Sequence, residues 1–81
     1  MTTPKDTERC AAFRAWTNKL PAGIATAEEL TGISRRNLER MLAGQRPPPV
    51  QMLPTLARHA RDNDWPDVAD ALDRAAETAD A

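Results

Sequence analysis

The chain has 81 residues, 28% of them charged, a formal net charge of −1 and a mean hydropathy of −0.61. With one cysteine, one histidine and no tyrosine, an intramolecular disulfide and a Cys/His zinc site are ruled out. No apolar run approaches the roughly 18 residues of a membrane span, and Met1-Thr2-Thr3-Pro4-Lys5 lacks a leader's apolar region, so the expectation is a small cytoplasmic protein.

Thr3-Pro4-Lys5-Asp6 has the grammar of a helix start: a threonine cap, a proline at the first helical position and an acid in the first turn. Cys10, Ala12, Phe13, Trp16 and Leu20 then recur at three- and four-residue spacing, which predicts an amphipathic helix ending near Lys19 or Leu20. Phe13 and Trp16 read as core aromatics rather than stacking platforms, and Cys10 as a small core residue. Pro21-Ala22-Gly23 breaks the pattern, and Ile24 re-enters the core.

Thr26 stands three residues before Glu29, the spacing of a reciprocal capping box, and predicts the start of a short second helix. Gly32 supplies a position where positive φ has no steric cost, Ile33 an apolar plug, and Ser34 a preferred cap for a third helix beginning at Arg35. On that helix Leu38, Met41 and Leu42 point one way, while Arg36, Asn37, Arg40 and Ala43 point the other. The offered face therefore carries two guanidiniums and a carboxamide, groups whose geometry matches guanine O6/N7 and adenine N6/N7 in a DNA major groove. Gly44 is expected to stop the helix at C′.

Arg46-Pro47-Pro48-Pro49 must then be extended. Val50, Leu53, Leu56, Ala57 and Ala60 return at helical spacing and define a fourth helix to about Arg61. Pro54 leaves two starts open, Pro49 or Leu53, both placing Leu56 inward. Asn63-Asp64-Trp65-Pro66-Asp67 repeats the start grammar with Asp64 as cap, and a fifth helix over 65–78 follows with an acidic outer face. His59 has no nucleophile or carboxylate arranged beside it and reads as a partly buried helix histidine. No glycine-rich phosphate loop and no inward carboxylate pair is present. The expectation is no enzyme, no cofactor, no metal and no small-molecule substrate.

Charge is strongly segregated along the chain. Residues 1–32 balance, 33–61 set six arginines against Glu39 alone for +5, and 62–81 set seven acids against Arg74 for −6. A basic middle of this kind is the electrostatic footprint of a nucleic-acid surface, and the acidic end must point elsewhere.

Leu30-Thr31-Gly32-Ile33-Ser34-Arg35-Arg36, followed by Glu39-Arg40 and Gly44-Gln45-Arg46-Pro47, resembles the Cro/C1-type helix-turn-helix of bacterial and phage repressors over roughly residues 24–60. Glu28 departs from the family pattern, which has a small residue packed between the helices there, and Ala27 fills that role in a shifted register. The resemblance implies an all-α, compact five-helix, lambda-repressor-like domain over 1–81, with its motif at 26–46. It implies DNA contacts from Ser34, Arg35, Arg36, Asn37, Arg40, Gln45 and Arg46. The Arg-Pro-Pro-Pro exit is also similar to short autorepressors of anti-CRISPR operons.

The expected function is a sequence-specific transcriptional regulator, a phage or mobile-element autorepressor binding double-stranded DNA at an inverted repeat as a homodimer. A chain this short supplies a core worth only about 3 to 5 kcal/mol, which favours dimerisation. The stripe Trp65, Val68, Leu72 and Ala76 is the expected interface, with the first helix as alternative. The rival is a protein-binding module or phage-type inhibitor using the acidic last helix or the exposed third-helix face.

Overall fold

The computed structural model describes residues 4–79, and the side chains of 8–77. Among them lie five α-helices and no strand: α1 Pro4–Lys19, α2 Ile24–Thr31, α3 Arg35–Leu42, α4 Leu53–Asp62 and α5 Pro66–Ala79. The expected Thr3 cap lies outside the described residues, while Pro4 does open α1.

The cap of the second helix lies three residues before the expected place, and the capping is different. Gly23, at φ +56°, holds the cap position and α2 opens at Ile24. Thr26 is thus already inside the first turn, and its hydroxyl reaches back to accept from the Ala22 N–H at 3.3 Å rather than from Glu29. The positive φ of glycine allows the reversal three residues earlier than the threonine cap would place it, and this brings Ile24 and Ala27 against the core. Ala27 is fully buried, whereas Glu28 is exposed, so the small residue at the helix contact is Ala27.

Pro54 decides the fourth helix. A single 3-10 turn over Val50–Met52 precedes it, and α4 starts at Leu53, which puts Pro54 in the first turn where its missing N–H removes no intrahelical bond. Asp64 does not cap α5. It stands at φ +62° and closes α4: its N–H donates to the Arg61 carbonyl at 3.1 Å, and the Trp65 N–H to the Ala60 carbonyl at 2.8 Å. This pair of bonds is the Schellman arrangement, and Asp, whose short polar side chain tolerates the left-handed region, takes the place glycine usually has.

The core forms where α1, α4 and α5 cross. Phe13, Trp16, Leu38, Leu53 and Leu72 are fully buried, with Ala57, Ala60, Ala69 and Ala75 letting the helices approach closely. Burial of each large side chain contributes about 1.5 to 3 kcal/mol. Trp16 is the centre of an aromatic row: its ring lies 5.8 Å from Phe13 and edge-on to His59 at 5.6 Å, and His59 in turn meets Trp65 at 5.7 Å. The indole N–H donates to His59 Nδ1 at 3.2 Å, which satisfies a buried donor and places the histidine in the half-buried helix position its sequence context predicts. Cys10 is buried as expected.

The apolar stripe of α5 faces this same core. Val68 and Leu72 are buried against the chain's own helices, so of the four residues expected at a dimer interface only Trp65 and Ala76 keep part of their surface. A stripe read from sequence identifies a face that must be covered; here α1 and α4 already cover most of it. No helix among the described residues is long and apolar enough to cross a membrane.

Candidate functional site

Two short helices of eight residues each, joined by Gly32-Ile33-Ser34, build the site. Gly32, at φ +73°, ends α2 with its N–H on the Glu28 carbonyl at 2.9 Å. Ile33 packs against the core and fixes the crossing point, and Ser34 caps α3, its hydroxyl accepting from the Asn37 N–H at 3.4 Å. Leu38 and Met41 are buried beneath α3. The opposite surface has no cover from the described residues.

That surface is held at its C-terminal end. Gly44, at φ +80°, and Gln45 donate their N–H groups to the carbonyls of Met41 and Arg40 at 3.2 and 2.9 Å, another Schellman closure. From α1, Arg14 donates to the Leu42 carbonyl through Nε and a terminal nitrogen, at 3.2 and 2.7 Å. Cys10 Sγ faces the Arg46 carbonyl at 3.8 Å, and Arg9 donates to the Pro48 carbonyl at 3.0 Å. Three α1 side chains thus grip the end of α3 and the proline-rich exit. None of these contacts was visible in the spacing of the sequence, because each joins residues at least 28 positions apart.

The expected contact residues divide into groups. Arg36, Arg40 and Gln45 come together, with Glu39 and Ala43, around a shallow concavity of about 280 Å³. Ser34 and Arg46 are exposed at either end of this surface. Asn37 is half-buried and set to the flank, away from the concavity it was expected to share with Arg36 and Arg40. Arg35 is turned toward α2, its Nε 3.8 Å from a Glu28 carboxylate oxygen. The residue missed from sequence is Glu39. At about 100° per residue it lies nearer the middle of the outward face than Asn37 does, and this spacing alone would have found it.

Ion pairing sharpens the charge distribution. Arg61 pairs with Asp73 of α5, whose carboxylate, by hydrogen bond and charge, holds the guanidinium above its ordinary pKa. Arg36, Arg40, Arg46 and Arg58 make no ion pair among the described residues. The unpaired positive charge of the middle segment is therefore concentrated on α3, its exit and α4. On α5, Asp67, Asp70 and Glu77 are exposed.

Comparison with protein-family models, curated proteins and solved structures finds no significant match.

Proposed function

We propose that the chain is a sequence-specific DNA-binding transcriptional regulator in which α2, the Gly32-Ile33-Ser34 turn and α3 act as a helix-turn-helix of the Cro/C1 kind. The five helices then form a lambda-repressor-like domain. The observation that carries this reading is the outward surface of α3, where Arg36, Arg40 and Gln45 surround one concavity and the two arginines have no ion-pair partner among the described residues. Guanidinium and carboxamide groups on an uncovered helix face are the donors and acceptors that the edges of major-groove base pairs require. Ser34, at the helix N-terminus, and Arg46, beyond its C-terminus, stand where backbone phosphates flank a helix so docked.

The regulator acts as a phage or mobile-element autorepressor and binds an inverted repeat as a homodimer, one α3 to each half-site. An interface through α5 uses the half-exposed Trp65 and Ala76, since Val68 and Leu72 are already enclosed.

The test is fluorescence anisotropy of a labelled duplex pool between about 50 and 200 mM salt. Affinity should fall steeply, with a log–log slope of about −0.9 for each phosphate neutralised. A flat response overturns the proposal. The exposed acids of α5 favour the second reading, a grip on a basic protein surface, and a chain that ignores duplex DNA at low salt supports that one instead.

A further inference from the structure

Glu39 is the only acid among residues 33–61, where six arginines stand. It is exposed and shares the α3 concavity with Arg36, Arg40, Ala43 and Gln45. Its helical neighbours four and three residues earlier, Arg35 and Arg36, are the partners within reach of a solvated carboxylate. Yet Arg35 has turned to Glu28 on α2, and Glu39 forms no ion pair among the described residues.

A carboxylate on a surface that meets DNA is repelled by every nearby phosphate. It gains only where it can accept hydrogen bonds, and the major groove offers that from exocyclic amino groups. Cytosine N4 is the amino group carboxylates pair with, while guanine, with O6 and N7 as acceptors, suits the arginines beside it. Resting on the DNA-reading role of α3, we infer that Glu39 is a specificity-determining residue that accepts from the N4 amino group of one cytosine. Its charge meanwhile weakens the hold on duplexes lacking a cytosine at that position. Attraction from Arg36 and Arg40 and discrimination by Glu39 are then two functions of one surface.

The experiment is enrichment of bound duplexes from a random pool with the intact wild-type chain, Glu39→Gln and Glu39→Ala, followed by titration of the enriched and a random duplex. Circular dichroism confirms folding, which an exposed helix position replaced by alanine should not disturb. The wild type should require cytosine at one position of each half-site. Glu39→Ala should lose that preference, by about five-fold to a hundred-fold in discrimination, and bind random duplex more tightly. Glu39→Gln should flatten the position or move it toward adenine, whose N6 and N7 a carboxamide reads. A motif unchanged at every position in both variants overturns the inference and leaves DNA binding standing. Failure of the wild type to enrich any motif removes the DNA-reading role itself, and the inference with it.

Discussion

Arg14 of α1 clasps the carbonyl oxygen of Leu42, the last residue of α3, with two guanidinium nitrogens at 3.2 and 2.7 Å. The last carbonyls of a helix have no intrahelical partner, and a cation there also complements the helix dipole. The clasp therefore joins the C-terminal end of α3 to α1, in addition to the burial of Leu38 and Met41. Replacing Arg14 by alanine should cost about 1 kcal/mol, below the range usual for a charged hydrogen bond because the site is exposed. Urea denaturation reads that loss. On DNA, the variant should lose more affinity for an enriched duplex than for a random one, since phosphate contacts tolerate a small rotation better than base contacts do. Equal losses on both duplexes would show that the clasp does not position α3.

Arg36, Arg40 and Arg46 should behave as two kinds of residue. Arg36 and Arg40 line the concavity of α3, and Arg46 lies beyond its closing turn. Arg36→Ala or Arg40→Ala should cost about 1 to 3 kcal/mol on the cognate duplex and relax preference at one base pair. Arg46→Ala should weaken cognate and random duplexes alike and make the salt slope shallower by about one. Titrations against cognate, single-base-mutant and random duplexes separate these outcomes, and proportional losses in all three variants would rule out base reading by α3.

Leu72 offers a test of where the α5 stripe belongs. It is fully buried in the protomer's core. Leu72→Ala should therefore cost about 2 to 5 kcal/mol, the usual range for a buried leucine. Because the contact is internal, the loss should be the same at low and high protein concentration in chemical denaturation. A loss that shrinks as concentration rises would mean that Leu72 acts chiefly between protomers.

Local chemistry was the most legible level of the sequence. Gly32 and Ser34 act as their residue types dictate, and the alternative start at Leu53 is the one that frees Pro54 from an interior helix position. Where the helix ends differ from expectation, a second residue or a second role competes with the one the local grammar suggests. Gly23 displaced Thr26 as the opener of α2, and Asp64 took a left-handed closing position that the same Asn-Asp-Trp-Pro segment disguises as a helix start. Long-range contacts left no signal at all. Nothing about Arg9, Cys10 or Arg14 in sequence distinguishes them from other residues of an amphipathic helix, because their partners are backbone carbonyls, which have no residue identity. The concavity itself is half legible: charge marks its arginines, whereas Glu39 shares their face only by helical spacing and is opposite in sign to the rest of the basic segment.

The three α1 contacts also bear on how this chain can vary. Surface connections ordinarily accept inserted or deleted residues, since their ends alone are fixed. Between Leu42 and Pro48 the backbone is held at three carbonyls by three side chains of one rigid helix, so its contour length is matched to the spacing of those anchors. An added residue must either release an anchor or buckle outward beside Gln45, against the surface that α3 presents. Descendants of this protein could change the chemistry of the outward face of α3 by exchanging its side chains, but a change in the length of the segment that follows it is largely closed to them.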